Sequence, residues 1–226
     1  MDWLIRFDQQ LLLAMNGSDS VWLDHVMLYV TRTATWIPLI IALLVVLLRL
    51  RPWREVLMVA VSLALVVLVC DQFASSLCKP LFHRYRPSHE PALLGMVDLV
   101  NGRRGGLYGF ISSHAANTFG TLMFLVLYLR HAISRRWLYV FSSVTIFFWA
   151  CLSSYSRIYL GLHYPGDIFV GILAGLFFGW LIYRLFFLAS RYIYQPRALP
   201  AFGLRELSPL LLPITFLFTL LTVCLL

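Results

Sequence analysis

Long apolar runs separated by short polar connections occupy most of the chain. Six runs contain no charged residue, at 33–48, 56–70, 115–129, 137–156, 168–183 and 207–226. A helix that spans a bilayer needs about 20 residues, with a range of roughly 17 to 25. The shorter runs reach that length if polar residues at their ends belong to the helix and flanking arginines extend to the interface. The pattern therefore predicts six membrane-spanning helices.

The first residues show a different pattern. Between Trp3 and Met15, apolar side chains recur at about helical spacing and charged residues lie between them. This arrangement predicts an amphipathic N-terminal helix that lies in the membrane interface. Because no repeat, low-complexity tract or obvious linker divides the chain, we expect residues 1–226 to form a single membrane-embedded domain.

Composition agrees with a membrane protein. Of the 226 residues, 61% are hydrophobic and 12% are charged, whereas a soluble domain has about 25% charged residues. A soluble all-helical protein with a large core is therefore disfavoured. The net charge of +8 would suggest nucleic acid in a soluble protein. Here the basic residues lie mainly between the spans, so membrane topology and lipid phosphate explain them better, and no nucleic-acid partner is expected.

The basic residues divide between the two sides of the predicted bundle. The positive-inside rule places the side with more arginines in the cytoplasm. That side carries ten of the eighteen basic residues: Arg49, Arg51, Arg54, Arg130, Arg135, Arg136, Arg184, Arg191, Arg197 and Arg205. The basic residues of the opposite, outer side occur together with His, Ser and Asp, which suggests chemistry rather than topology.

Three polar segments lie on the outer side, each at the end of an apolar run. They are KPLFHRYRP at 79–87, FISSHAANTF at 110–119 and SRIYLGLHYPGD at 156–167. A bundle of spans brings these ends to one rim, so the sequence predicts that the three segments form one site.

Cations and a helix start in these segments are suited to binding phosphate. Arginine binds phosphate through two N–H groups, and lysine adds a point charge. Lys79, Arg86 and Arg157 are therefore candidate phosphate ligands. Ser112 and Ser113 precede an apolar helix, whose free N–H groups and dipole favour an anion.

Two histidines and one carboxylate complete a set for phosphoryl transfer without a metal. Asp167 follows His163 by four residues, within reach on a helical turn. A carboxylate on one imidazole nitrogen fixes the tautomer and leaves the other nitrogen free to attack phosphorus. His114 can then protonate the leaving group. The expected intermediate is a phosphohistidine, with no metal and no cofactor.

The three segments resemble the motifs of the type 2 phosphatidic acid phosphatase superfamily. Lys79, six residues and Arg86-Pro87 resemble the first motif, and Ser112-Ser113-His114 resembles the second. The third motif is matched by Ser156-Arg157, five residues, His163, three residues and Asp167. The resemblance implies an all-α integral membrane antiparallel bundle, with its motif-bearing core at 71–183. It also implies metal-independent hydrolysis of lipid phosphates or diphosphates.

The same resemblance implies a role for each matched residue. His163 would be the nucleophile, Asp167 its orienting partner and His114 the general acid. The phosphate would be held by Lys79, Arg86, Ser112, Arg157 and the backbone at Ser113. The second motif usually reads Pro-Ser-Gly-His, so Ile111 and Ser113 depart from it. Serine is small and can still present its N–H, so we expect the anion site to persist.

Three charged residues outside the motifs are candidate supporting groups. Asp71 lies within a predicted span, eight residues before Lys79 and on the same helix face. A charge at that depth is costly unless paired, so we expect Asp71 to support Lys79 or a neighbouring cation through Ser75 or water. In the long connection 88–110, Arg103 and Arg104 are candidate ligands of a second phosphate or a head group, and a solvated loop is the alternative.

We therefore expect a lipid phosphatase of the bacterial inner membrane, with its site facing the periplasm or cell exterior. The favoured substrate is undecaprenyl diphosphate. A lipid A phosphatase and a phosphatidylglycerophosphate or phosphatidic acid phosphatase are alternatives, because the motifs describe the phosphate site and not the lipid pocket. The non-enzyme alternative is a transporter. Transporters carry polar groups at the bilayer midplane, and only Asp71 comes near that description.

Overall fold

The regular secondary structure is helical. The computed structural model describes residues 2–193 and 206–225. Its helices are α1 (Asp2–Met15), α2 (Val21–Val30), α3 (Ile37–Leu50), α4 (Trp53–Gln72), α5 (Lys79–Phe82), α6 (Ser113–Ala132), α7 (Arg136–Tyr159), α8 (Pro165–Ile193) and α9 (Leu211–Leu225). A π-helical turn at Phe73–Cys78 joins α4 to α5. The predicted all-α fold is confirmed.

Five helical segments in the described ranges are long and apolar enough to cross a membrane. They are Thr33–Leu50, Trp53–Phe82, Arg136–Tyr159, Pro165–Arg191 and Ser208–Leu225. Each contains most of one predicted run. The remaining run, 115–129, lies in α6, which has 20 residues but a more polar sequence. The count of six spans therefore stays a prediction.

Helix α6 is polar because other helices cover it. It packs against α4, α7 and α8, and residues on several of its faces, including Ala116, Phe119 and Leu125, are buried. A helix that meets protein on most sides does not need a lipid-compatible surface. Polar residues such as His114 and Thr118 can therefore lie on it.

Glycines allow α6 and α8 to approach closely. Gly171, Gly175 and Gly179 follow one another at four-residue spacing on α8. A Cβ atom added at Gly175 would collide with the carbonyl of Ala116, and one added at Gly179 would collide with the carbonyl of Gly120. Small residues at such spacing let helix backbones pack in direct contact within membranes. This contact fixes the start of α8 relative to the start of α6.

The connections that carry arginines meet at the C-terminal end of α6. Arg51 donates to the carbonyl of His131, and Arg135 pairs with Glu206 at 2.6 Å. A helix of this length is about 30 Å long, so these groups lie far from Ser113. Arg197 and Arg205, predicted on the same side, lie outside the described residues.

Helix α1 combines a docked face with an exposed one. Leu12 is fully buried, in a cluster with Tyr164 and Ile168 at the start of α8. Trp3 and Phe7 are more than half exposed. The predicted N-terminal helix is confirmed, and its position in the membrane interface stays a prediction.

Candidate active site

The connection between α5 and α6 folds back on itself and fixes the positions of Arg84 and Arg86. The N–H of Arg86 donates to the carbonyl of Leu107 at 3.0 Å, and the N–H of Gly109 donates to the carbonyl of Arg84 at 2.9 Å. Tyr85 and Tyr108 form the bridge between these bonds. The pairing fixes the backbone of the first motif where it reaches the turn between α7 and α8.

His163 lies in that turn and is buried, with 2% of its surface exposed. Nη1 of Arg86 lies 3.1 Å from Nε2 of the imidazole. Because a guanidinium only donates, we infer that Nε2 accepts and that the ring proton lies on Nδ1. Nδ1 faces Oδ2 of Asp167 at 3.5 Å. The arrangement leaves the Nε2 lone pair facing a cation.

The surroundings of His163 favour its neutral form. Burial lowers the pKa of His163 well below its ordinary value of 6.5, and the nearby charges of Arg86, Arg157 and Lys79 lower it further. A neutral imidazole retains the lone pair that a nucleophile needs. The surroundings therefore favour the protonation state that the predicted nucleophile requires.

Asp167, in the first turn of α8, is fully buried and held by two donors. Its Oδ2 accepts from the N–H of Tyr164 at 3.1 Å, and its Oδ1 accepts from Nη1 of Arg84 at 2.7 Å. Burial opposes the charge of Arg84, but the carboxylates of Asp167 and Asp8 outweigh that effect and raise its pKa. Sequence reasoning missed Arg84 as a site residue. The available signal was its position two residues before Arg86 in the first motif.

Lys79 is held by two serines. Its Nζ donates to Oγ of Ser75 at 3.0 Å and to Oγ of Ser113 at 2.9 Å. Ser75 in turn donates to Oδ1 of Asp71 at 3.4 Å. The π-helical turn between α4 and α5 lies among these residues, and such turns are frequent at functional sites. Asp71 thus contacts Lys79 through Ser75, and its supporting role stays a prediction.

The second motif forms the start of α6. Ser112 is the N-cap, and its Oγ accepts from the N–H of Ala115 at 3.4 Å. Its own N–H donates to the backbone carbonyl of Asp167 at 3.1 Å, which ties α6 to α8. Ser113, where the family motif usually has glycine, places its hydroxyl on Lys79. The substitution therefore adds a contact to a cation of the site.

Arg157 and His114 complete the group from α7 and α6. Nη1 of Arg157 donates to Oγ1 of Thr31 at 2.7 Å, while its Nε has no partner among the described residues. His114 is half-buried and lies near the backbone of Thr31. Burial and the nearby charges of Arg157, His163 and Arg86 lower its pKa to about 3. All eight residues assigned to catalysis or phosphate binding from the sequence thus lie in one connected cluster.

Arg103 and Arg104 lie at the margin of this cluster. Both are exposed, and Arg103 lies within electrostatic reach of Arg157. The connection that carries them is anchored nearby, because the N–H of Asp98 donates to Oδ1 of Asn16 at 2.7 Å. Their role stays a prediction. The described residues include no group of three or more His, Cys, Asp or Glu side chains placed to hold a metal ion.

An apolar groove opens beside the cluster, between α1 and α8. It encloses about 600 Å³ and is lined mainly by apolar side chains, including Phe7, Phe110 and Phe169, with Asp8 and Arg84 at its polar part. Phe7 and Phe169 are more than half exposed. This surface, which is suited to hydrocarbon, therefore reaches Arg84, whose guanidinium contacts Asp167 of the cluster.

Comparison with known proteins agrees with this geometry. The model of the PAP2 superfamily matches residues 55–191. A lipid A 4'-phosphatase of Bacteroides thetaiotaomicron is 42% identical over 184 residues, covering 81% of this chain and 78% of that protein. A lipid A 4'-phosphatase of Porphyromonas gingivalis is 37% identical over 194 residues, covering 85% and 79%. No solved structure matches the chain. With three motifs in one buried cluster and a family match over more than half of its length, the chain belongs to the PAP2 superfamily and is a membrane lipid phosphatase.

Proposed function

We propose that the protein removes a phosphate monoester from lipid A through a phosphohistidine intermediate. The observation that carries the substrate assignment is the similarity to two lipid A 4'-phosphatases, which extends over four fifths of the chain. This assignment replaces undecaprenyl diphosphate, the substrate favoured by the sequence, because neither of these relatives is named for that lipid. The apolar groove beside Arg84 supports a lipid substrate in either case.

In the first chemical step, Nε2 of His163 attacks phosphorus. The N–P bond forms as the bond between phosphorus and the lipid oxygen breaks. Burial and nearby cations lower the pKa of His114 to about 3, and the bound phosphate anion offsets those cations, so that His114 takes up a proton with the substrate and gives it to that oxygen. Asp167 faces Nδ1–H of the same imidazole and stabilises the positive charge that develops on the ring. Lys79, Arg86 and Arg157 stabilise the phosphoryl oxygens.

In the second step, water attacks the phosphohistidine. His114, now neutral, takes a proton from the water as the N–P bond breaks. Inorganic phosphate leaves, His163 regains its lone pair and His114 regains its proton. The cycle therefore balances with water as the only co-substrate.

Arg86 must change partners for the first step to occur. In the structure it donates to Nε2 of His163 and to the carbonyl of Leu162 at 2.9 Å. A phosphate oxygen is a stronger acceptor than either group because it is charged. Substrate binding therefore moves the guanidinium onto phosphate and uncovers the nucleophile.

A comparison of purified lipid substrates tests this assignment. We expect phosphate release from lipid A to exceed release from undecaprenyl diphosphate and phosphatidic acid, with inhibition by vanadate and no loss in EDTA. His163→Ala should lower turnover by orders of magnitude and serves as the control for contaminating phosphatase. Faster turnover of undecaprenyl diphosphate than of lipid A would reject the substrate assignment. Near-normal turnover by His163→Ala would reject the mechanism.

We further propose that the site faces the periplasm, across the inner membrane from the arginine-rich connections. Arg103 and Arg54 are both exposed and offer labelling positions near the two ends. In intact cells, an Arg103→Cys protein should react with a membrane-impermeant maleimide, whereas an Arg54→Cys protein should react only after lysis. The opposite pattern would reverse the orientation. A parent in which the native cysteines are replaced provides the baseline.

A further inference from the structure

Arg84 lies between two carboxylates from opposite parts of the chain. Its Nη1 contacts Oδ1 of Asp167 at 2.7 Å, and its Nη2 contacts Oδ2 of Asp8 at 2.6 Å. The guanidinium carbon lies 4.2 Å from the centre of the Tyr164 ring. Two charged contacts and one aromatic face restrict the orientation of the planar group. Arg84 therefore joins the N-terminal helix to the partner of the proposed nucleophile.

Asp8 also binds the start of α8 directly. Its Oδ1 accepts from the N–H of Gly166 at 2.8 Å, one of the free donors in the first turn of that helix. A Cβ atom at position 166 would lie only 2.7 Å from Oδ2 of Asp8, so glycine allows this approach. Asp167 is the next residue after Gly166. Asp8 therefore fixes both the backbone beside the Asp167 carboxylate and the Arg84 guanidinium that contacts this carboxylate.

The position of α1 places Asp8 where these bonds can form. Leu12, one turn further along α1, packs in the cluster of Tyr164 and Ile168. At the end of α1, Nδ2 of Asn16 donates to the carbonyl of Tyr159 at 2.7 Å. The helix is thus anchored to the residues on both sides of the turn that carries His163. An amphipathic surface helix needs none of these buried polar contacts merely to lie on a membrane.

A charge argument gives Asp8 a distinct task. Arg84 alone would draw the negative charge of Asp167 toward Oδ1, away from Oδ2 and His163. Asp8 balances part of that positive charge and shares the guanidinium. A carboxylate beside a catalytic imidazole holds the ring in its orientation and stabilises the imidazolium-like state. Both effects depend on the direction in which the Asp167 carboxylate points and on the negative charge that it retains beside Arg84.

We propose that Asp8 and Arg84 are positioning residues of the phosphatase, through which the N-terminal helix holds Asp167 in line with His163. The inference rests on the proposed role of His163 as nucleophile. It assigns α1 a part in the reaction as well as a place at the membrane surface.

The test is an Asp8→Asn substitution in the full-length protein. Asparagine keeps the size and the acceptor for Gly166 but removes the charge that faces Arg84. With a soluble aryl phosphate as substrate, we expect kcat to fall about tenfold, as for other groups that orient a reacting residue. KM should change less than about twofold, because the phosphate-binding cations are untouched. Asp8→Glu should recover a large part of kcat, and Asp19→Asn, which removes an exposed carboxylate, should behave as wild type.

Inhibition separates positioning from general damage. Vanadate binds as a transition-state analogue that needs the aligned nucleophile, whereas inorganic phosphate needs only the cations. Asp8→Asn should therefore raise the inhibition constant of vanadate about tenfold and leave that of phosphate unchanged. Unchanged kcat and vanadate inhibition would overturn the proposal, and so would equal weakening of vanadate and phosphate. If Asp8→Asn does not fold, Arg84→Lys, which keeps the charge but cannot bridge both carboxylates, is held to the same outcomes.

The substrate assignment and this inference fail separately. Wild-type protein that hydrolyses the aryl phosphate but not lipid A would reject lipid A as substrate and still allow Asp8 to be judged. A His163→Ala protein with normal turnover would reject the mechanism on which the positioning role rests.

Discussion

The neutral state of His163 can be tested through stability as well as activity. The folded protein holds this imidazole at a pKa well below 6.5, first because of burial and then because of Arg86, Arg157 and Lys79. In the unfolded chain the same group titrates near its ordinary value. Between the two values the unfolded state binds more protons, so the free energy of unfolding must fall as the pH drops below about 6.5.

The size of this effect follows from one proton. At about pH 5.5 the unfolded imidazole is roughly 90% protonated while the folded one stays neutral, which costs about 1.4 kcal/mol. At about pH 7.5 the cost is close to zero. For a protein of this size, that difference corresponds to a decrease in Tm of about 3 to 6 °C. It is the part of the acid destabilisation that belongs to His163.

A comparison of Tm values at the two pH values isolates that part. We expect His163→Gln in detergent micelles to lose less Tm between pH 7.5 and 5.5 than wild type, by about 3 to 6 °C. His25 is exposed, so His25→Gln should show the wild-type dependence. Equal pH dependence in wild type and His163→Gln would refute the reasoning, because His163 would then bind protons equally in both states.

Three further predictions concern the leaving group, the helix contact and a buried ion pair. His114→Ala should slow release of the dephosphorylated lipid from lipid A in the first turnover by about 10²- to 10⁴-fold but slow much less the first-turnover burst of phenol from an aryl phosphate, whose leaving group needs no proton. Equal losses in these two first-turnover rates would exclude it as general acid, whereas steady-state turnover of both substrates should fall because His114 is also the base in the second step. Gly175→Ala should lower stability by about 1 to 3 kcal/mol in thermal unfolding. Gly106 has open space around it, so Gly106→Ala should not lower stability. Similar Tm values for these two variants would contradict the close α6–α8 contact. Glu55→Gln should lower the free energy of unfolding by about 3 kcal/mol, because it leaves the buried Arg51 without a counter-charge. Glu206→Gln removes an exposed pair and should lower it by less than about 1 kcal/mol. Comparable losses of stability would show that burial does not set the difference.

Much of the fold follows from one-dimensional patterns. Uncharged runs located five of the apolar helices, because the residues of each helix are apolar enough by themselves to lie in lipid. The run 115–129 located α6 as well, but α6 is harder to recognise as a membrane-embedded helix, since α4, α7 and α8 surround it. The spacing of Gly171, Gly175 and Gly179 was a readable signal for close packing. It indicates a contact but not which helix provides the other side.

The candidate site also contains residues that local patterns predict and residues whose contacts depend on the packing of helices. His163, Asp167 and Lys79 could be predicted because motif spacing is local and fixes which residue types lie at the rim. For Arg84 the sequence offered only its position two residues before Arg86. Asp8 could not be predicted, because its contacts depend on the docking of α1, and Asp8 is 158 residues away from Gly166 in sequence. The substitution of Ser113 for glycine was visible. Its contact with Lys79 required the position of α5 relative to α6.

Neutral acceptors within the protein accompany the buried cations of the candidate site. Each proposed phosphate-binding cation has at least one neutral acceptor in the protein: Lys79 has two serine hydroxyls, Arg157 has a threonine hydroxyl, and Arg86 has two carbonyls and an imidazole. These acceptors limit the cost of burying the charges, yet they are weaker partners than a phosphate oxygen. Under the proposed mechanism, exchange of neutral acceptors for an anion is therefore favourable at three positions, and at Arg86 it also releases Nε2 of His163. The same mechanism makes substrate binding and exposure of the proposed nucleophile one event, so that His163 is free to attack only when phosphate is present.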